Sequence, residues 1–163
     1  MRYNKIRKMD IANGPGVRVS IFFQGCSFHC KNCFNPETWD FNGGKEYTDE
    51  IKRKVLDCAN KDYIKGLSIL GGEPLCPTNI DATIELAKDF KEKYPNKTVW
   101  VWSGYLFENV SNKNLFNYID VLVDGQFKQE LKDFRLPFCG SSNQRVIDVQ
   151  KTLKTGNIVL YTE

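Results

Sequence analysis

Short apolar runs recur along the chain and are separated by polar turns. The clearest is residues 19–23, which is almost continuously apolar, and residues 67–70 form another. Runs of this length that are bounded by Gly, Pro and Asn predict buried strands. The predicted strands are residues 19–23, 67–70, 98–102, 119–123, 145–149 and 158–161.

Two other segments carry apolar residues at the spacing of a helix. In the first, between residues 48 and 60, the apolar positions are Ile51, Val55, Cys58 and Ala59. In the second, the apolar positions are Ile80, Ile84, Ala87, Phe90 and Tyr94. Both patterns predict amphipathic helices. Thr78 and Asp81 predict the N-terminal cap of the second helix, and Pro95 predicts its end.

The alternation of strands and helices predicts an α/β fold with a mainly parallel sheet. Parallel strands are joined by right-handed crossovers, and functional loops then lie at the carboxyl ends of the strands. A complete eight-unit TIM-type barrel takes roughly 250 residues, whereas this chain has 163. We therefore expect a single domain over residues 1–163, built as an incomplete barrel that is open on one side. The open side offers either an entry for a substrate or a contact for a homodimer, and the sequence does not choose between them.

The composition is that of one small globular protein. With 41% hydrophobic and 13% aromatic residues, the chain can bury a core. The net charge of +3 arises from 23 basic and 20 acidic residues, a balance that does not indicate a nucleic-acid partner. We expect Arg2, Lys5, Arg7 and Lys8 to form a solvated face. No signal-peptide pattern and no membrane-spanning apolar stretch is found, which predicts a cytoplasmic protein without a membrane partner.

Three cysteines directly follow the first predicted strand. Cys26, Cys30 and Cys33 share one short loop, in which three thiolates would repel one another unless a cation lay between them. Disulfides are disfavoured in a reducing cytoplasm. Spacing alone leaves iron and zinc open, because a structural zinc needs four protein ligands whereas an iron–sulfur cube held by three cysteines keeps one iron open. We expect His29, which adjoins Cys30, to support the loop or face a partner.

A Gly-Gly-Glu-Pro stretch at residues 71–74 follows the second predicted strand. By itself it predicts only a strand-to-helix turn. Together with the C-x3-C-x2-C spacing of the cysteines, it resembles the motifs of the radical S-adenosylmethionine (SAM) enzymes. This resemblance favours an iron–sulfur cluster over zinc.

Four further motifs narrow the resemblance. Residues 13–18, 34–39, 120–127 and 140–148 are similar to the proteins that activate anaerobic ribonucleoside-triphosphate reductase. The similarity spans most of the chain, and the last two motifs separate this family from the longer pyruvate formate-lyase activating enzymes. The chain departs from the pattern at Asn32, where many radical SAM enzymes have an aromatic residue, and at Cys139, where we expect an arginine.

The resemblance implies a particular site. Cys26, Cys30 and Cys33 would bind one [4Fe-4S] cluster per chain and support catalysis there. Gly71 and Gly72 would let SAM approach the backbone because they have no Cβ. The full set of implied SAM-binding residues is Asn32, Cys33, Phe34, Gly71, Gly72, Glu73 and Ser103.

The resemblance also implies a reaction and its partners. One electron, from a donor such as a flavodoxin, would cleave SAM into methionine and a 5′-deoxyadenosyl radical. That radical would take the Cα hydrogen of one glycine in the large subunit of the reductase and leave a glycyl radical there.

The three remaining cysteines are Cys58, Cys76 and Cys139. We expect them to be packing residues, and no second cluster is predicted.

Two other classes of function stay open. The chain could be an electron-transfer iron–sulfur protein or a zinc-bound interaction module.

Overall fold

The computed structural model describes residues 1–163 and shows an α/β fold with one seven-stranded sheet and three helices. The strands are β1 (Arg2–Asp10), β2 (Val17–Phe23), β3 (Lys45–Glu46), β4 (Ile64–Gly71), β5 (Thr98–Trp102), β6 (Val121–Asp124) and β7 (Arg145–Asp148). The helices are α1 (Asp49–Cys58), α2 (Ile80–Lys93) and α3 (Val149–Thr155). None of these helices combines the length and apolar character needed to cross a membrane.

The sheet is mixed, with parallel strands only at its centre. The strand order is β3-β1-β2-β4-β5-β6-β7. The pairs β2–β4, β4–β5 and β5–β6 are parallel, whereas β1–β3, β1–β2 and β6–β7 are antiparallel. The α/β class is therefore confirmed, and the parallel arrangement holds for the four strands that carry the predicted motifs.

The helices cover one face of the sheet. Ile21 and Ile69 lie on that face and belong to one buried apolar cluster with Val55 of α1 and Phe90 of α2. Side chains alternate across a strand, so their neighbours in sequence face the other side. That second face carries a smaller buried cluster around Trp100. The candidate site described below lies on this second face.

The two predicted amphipathic helices are confirmed as α1 and α2, but the predicted cap of α2 is wrong. Thr78 is exposed, and the residue at the cap is Asn79. The Asn79 side chain makes no capping hydrogen bond, because its amide donates instead to the backbone oxygens of Gln24 and Glu73 at 3.1 and 3.0 Å. This residue therefore ties α2 to the two loops that carry the motifs.

The basic segment at the start of the chain is a strand. The prediction that Arg2, Lys5, Arg7 and Lys8 form a solvated face holds only for the last two, which are exposed. Lys5 Nζ and the Arg7 guanidinium lie 4.7 and 5.1 Å from the centre of the Phe22 ring. Long basic side chains can cover an apolar surface in this way, so charge does not prevent this segment from pairing with β2.

The predicted strand at residues 158–161 is wrong. Only a single bridge, between Ile147 and Leu160, joins this segment to the sheet. The segment that precedes it forms α3, which the sequence pattern did not indicate. Leu160 is 56% exposed, whereas Tyr161 packs on Trp100 with 4.9 Å between ring centres, so this run joins the smaller buried cluster through one side chain without forming a strand.

A buried arginine joins the parallel strands. Arg18, from the motif at residues 13–18, is fully buried, and its guanidinium donates to Ser68 Oγ at 2.8 Å and to Thr98 Oγ1 at 2.9 Å. Burial lowers the pKa of Arg18 to about 10. A Cβ at Gly66 would lie 2.6 Å from Arg18 Nη2, so only glycine leaves room for this side chain. The motif thus has a structural role that links β2, β4 and β5.

Candidate functional site

A cavity of about 510 Å³ opens at the carboxyl ends of the parallel strands. Phe22, Leu70, Trp102 and Val123, one each from β2, β4, β5 and β6, contribute apolar side chains to it. The predicted site residues that line the cavity are Cys26, Cys30, Cys33, Phe34, Gly71, Gly72, Glu73 and Ser103. Every predicted site residue except Asn32 is therefore brought to one place.

A second groove, of about 740 Å³, lies between β1 and α1. Its lining includes Lys8, Met9, Arg53, Cys58 and Tyr63, and none of the predicted site residues. Although this groove is larger, the groups that carry the predicted chemistry lie in the smaller cavity, which we take as the candidate site.

Backbone hydrogen bonds hold the loop of three cysteines against the end of β4. The amide N–H groups of Gly25 and Cys26 donate to the carbonyls of Thr38 and Trp39 at 2.6 and 3.1 Å. The Glu73 N–H donates to the Gly25 carbonyl at 2.8 Å. The two motifs, far apart in sequence, therefore share one hydrogen-bonded junction.

The three cysteine side chains face a common cavity without forming a ligand set for one ion. Cys26 is buried, whereas Cys30 and Cys33 are half-buried. Burial raises the pKa of Cys26 and Cys30, and the nearby Cys33 thiol raises that of Cys30 further, so a cation is needed to make these groups thiolates. No three His, Cys, Asp or Glu side chains converge on a single metal position. Three thiols from one loop are the donor set of an iron–sulfur cluster with an open iron.

His29 and Asn32 both lie in the exposed part of the loop. The His29 ring is stacked on Trp39, with 4.5 Å between ring centres, in agreement with a supporting role. Both residues adopt positive φ, 49° for His29 and 58° for Asn32, so the chain turns sharply between the cysteines. The Asn32 side chain is exposed and outside the cavity, and its contact with SAM stays a prediction.

Glu73 is buried between the ends of β4 and β5. Its Oε1 accepts a hydrogen bond from the Gly104 N–H at 2.6 Å, and its Oε2 accepts from the Leu75 N–H and the Ser103 hydroxyl, both at 2.8 Å. Burial raises the pKa of Glu73 to about 7, although these three hydrogen bonds oppose the shift. Both carboxylate oxygens are thus already engaged within the protein, and Glu73 fixes the strand ends around the cavity.

The glycines of the Gly-Gly-Glu-Pro motif are required by the protein itself. A Cβ at Gly72 would lie 2.5 Å from the Gly25 carbonyl oxygen and 2.8 Å from that of Thr38. Gly71 has φ +114°, and a Cβ there would lie 2.6 Å from the Phe23 nitrogen. The sequence suggested that the missing Cβ makes room for SAM, whereas the close approach seen here is between two segments of the chain.

One wall of the cavity consists of residues that the sequence analysis did not assign to the site. The turn after β6 brings Gly125, Gln126 and Phe127 to the cavity. Phe127 packs on Phe34 with 5.0 Å between ring centres. All three residues of the turn belong to the motif at residues 120–127, so the sequence signal for this wall was present in that motif.

The three remaining cysteines differ in their positions. Cys58 is half-buried and packs against the main core, and Cys76 is buried outside the cavity. Cys139 lines the cavity, yet it also packs against the buried cluster around Trp100. These positions agree with the packing roles that were expected.

The chain matches a known family of iron–sulfur proteins. A family model described as a 4Fe-4S single cluster domain matches residues 12–147. The match includes the three cysteines, the Gly-Gly-Glu-Pro motif and the whole parallel part of the sheet.

Curated relatives cover nearly the full chain. An anaerobic ribonucleoside-triphosphate reductase-activating protein from Vibrio cholerae is 40% identical over 148 residues, which are 88% of this chain and 96% of the relative. Proteins of the same name from Escherichia coli K12 and Enterobacteria phage T4 are 39% and 36% identical. The aligned regions are 90% of this chain in both cases, and 97% and 93% of the respective relatives.

Proposed function

Because the chain belongs to the family of anaerobic ribonucleoside-triphosphate reductase-activating proteins, we propose that it is a radical SAM enzyme that activates such a reductase. It reductively cleaves SAM at a [4Fe-4S] cluster and uses the 5′-deoxyadenosyl radical to form a glycyl radical on the partner. The observation that carries this proposal is the single cavity lined by all three loop cysteines and by Gly71, Gly72 and Glu73 of the Gly-Gly-Glu-Pro motif.

We assign the cluster to Cys26, Cys30 and Cys33. When bound, the cluster supplies one electron to the sulfonium group of SAM, which breaks its bond to the 5′ carbon. The apolar residues of the cavity, among them Phe22 and Trp102, exclude water from a site in which a reactive radical must survive.

The SAM-binding residues of this proposal lie in the cysteine loop and at the carboxyl ends of β4 and β5. Glu73 holds the Gly104 N–H and the Ser103 hydroxyl by hydrogen bonds, so it orients this part of the wall. Its burial keeps water away from the carboxylate. We assign the binding of SAM to the backbone at Gly71, Gly72 and Phe34, together with Asn32, Cys33, Glu73 and Ser103.

The partner of this reaction is the large glycyl-radical subunit of the reductase. The open mixed sheet would serve as the incomplete barrel of a radical SAM enzyme, with the uncovered side admitting a polypeptide segment. An electron donor such as a flavodoxin, a cytoplasmic location and a homodimer belong to the same proposal. The names of the relatives support the reductase as the partner.

Transfer of the glycine hydrogen tests the proposal. The reductase is prepared with α-deuterated glycine and mixed, without oxygen, with this protein, SAM and a reductant. We expect deuterium in 5′-deoxyadenosine and a glycyl radical signal by electron paramagnetic resonance. SAM cleavage without deuterium transfer and without a partner radical would exclude the activase.

The reconstituted protein also distinguishes the activase from an electron carrier and from a zinc module. An electron carrier would bind the cluster but would form no 5′-deoxyadenosine. A zinc module would show no visible iron–sulfur absorption after anaerobic reconstitution. The iron–sulfur family match favours the cluster over zinc.

A further inference from the structure

The turn after β6 lies against the second cysteine of the loop. Gln126 Oε1 is 3.9 Å from Cys30 Sγ, although the two residues are 96 positions apart in the chain. Cys30 is therefore bordered by the side-chain amide of this turn, and the proposed function gives Gln126 no role.

Three side chains of one motif hold this turn in place. The Gln144 amide donates to the Gly125 carbonyl at 2.9 Å, and the Asn143 amide donates to the Gln126 carbonyl at 2.7 Å. Arg145 forms an ion pair with the fully buried Asp124. The position of Gln126 is thus fixed by the motif at residues 140–148, which distinguishes this family by sequence.

The chemistry at Cys30 changes when it becomes a metal ligand. A thiol can donate its S–H to Gln126 Oε1, but a thiolate has no proton and can only accept hydrogen bonds. A half-turn of the carboxamide replaces Oε1 by the Nε2 donor at the same position. The turn then offers the thiolate an N–H donor from the Gln126 side chain.

We propose that Gln126 donates a hydrogen bond to the cluster-bound Cys30 thiolate and raises the reduction potential of the cluster. Hydrogen bonds to ligand sulfurs are one means by which a protein sets this potential. A donor at the sulfur stabilises the added negative charge of the reduced cluster, so it favours reduction. The inference rests on the proposed function, because it requires the [4Fe-4S] cluster.

A redox titration of the reconstituted protein tests the proposal. At the midpoint potential of the parent, we expect the ratio of reduced to oxidised cluster to fall roughly three- to tenfold in Gln126→Leu, the change expected from loss of one ordinary hydrogen bond. Gln126→Glu, which has a similar shape but no donor when ionised, is expected to lower the ratio further. The matched control is Gln129→Leu, three residues along and outside the cavity, which should leave the ratio unchanged.

The alternative outcomes are distinct. An unchanged midpoint in a fully loaded Gln126→Leu protein would overturn the proposal. If that variant fails to bind iron, the hydrogen bond can be tested in the unmodified protein. The protein is labelled with ¹⁵N at its glutamine side chains and studied by pulsed electron paramagnetic resonance. A ¹⁵N coupling to the reduced cluster is expected, and its absence would refute the hydrogen bond. If the potential shifts but no deuterium is transferred, the role of Gln126 stands and only the proposed activase function is refuted.

Discussion

The Ser103 hydroxyl donates a 2.8 Å hydrogen bond to the Glu73 carboxylate, and so joins the carboxyl ends of two neighbouring parallel strands. Ser103 Oγ in turn accepts a hydrogen bond from the Tyr105 N–H at 3.0 Å. Both side chains are buried. This pair therefore sets the distance between the end of β4 and the end of β5, where the cavity opens.

Removal of that hydroxyl should loosen the wall of the cavity. Ser103→Ala leaves the Tyr105 N–H and part of the Glu73 carboxylate without a partner, so we expect the free energy of unfolding to fall by about 1–3 kcal/mol. Urea denaturation of the metal-free protein measures this change. Ser111→Ala, at an exposed position, is the control and should be nearly neutral. Equal stability of the two variants would contradict the role assigned to Ser103.

The stability of the protein should depend on the ionisation of Glu73. Burial raises its pKa to about 7 in the folded state, from an ordinary value of 4.5. The folded state therefore binds this proton more tightly, and the associated stability is lost as pH rises through that interval. Between pH 5 and pH 8 we expect a loss of about 2–3 kcal/mol from this group.

Comparison with Glu73→Gln isolates this contribution. The variant cannot ionise, so its free energy of unfolding should change less with pH over the same range. The Cys26 and Cys30 thiols do not interfere, because desolvation raises their pKa values above the ordinary value of 9.0. Parallel pH profiles for parent and variant would mean that other groups carry the dependence.

The cluster ligands can be assigned by iron content. Cys26→Ala, Cys30→Ala and Cys33→Ala should each abolish binding of the cluster, whereas the parent should bind about four irons per chain. The matched substitutions are Cys58→Ala, Cys76→Ala and Cys139→Ala, which should retain the iron. The most informative control is Cys139→Ala, because Cys139 shares the cavity with the loop cysteines. Loss of iron from it would add a fourth ligand to the site.

A branched residue at Gly72 should act on the fold before it acts on SAM. The Cβ would overlap the carbonyl oxygens of Gly25 and Thr38, and these belong to the backbone junction that holds the cysteine loop. We expect Gly72→Val to lower the free energy of unfolding by about 1–3 kcal/mol or more. At Gly156 a Cβ meets no atom within 4 Å, so Gly156→Ala should cost only about 1 kcal/mol, for its left-handed backbone. A fully stable Gly72→Val protein would contradict this explanation.

Much of the central fold could be predicted because its signals are local. The apolar runs of β2, β4 and β5 and the helical spacing of α1 and α2 each lie within a few residues of one another. Failures occurred where a distant contact outweighed the local pattern. Charged residues of β1 lie over Phe22, and the Asn79 side chain donates to the remote Gln24 carbonyl instead of capping its helix. Neither arrangement leaves a trace in the spacing of neighbouring residues.

The reactive groups of the site could be named from the sequence, because three cysteines in one loop are metal ligands and the loops after parallel strands lie at one edge of the sheet. The groups that surround those thiols could not be named, because they come from other strands. Gln126 reaches Cys30 because β6 runs parallel to β2 and ends at the same edge of the sheet, and because a motif some twenty residues further on holds its turn. Glu73 reaches Ser103 because β4 and β5 are neighbours in the sheet. Such contacts depend on strand order, which is a property of the whole packed sheet and not of any one segment.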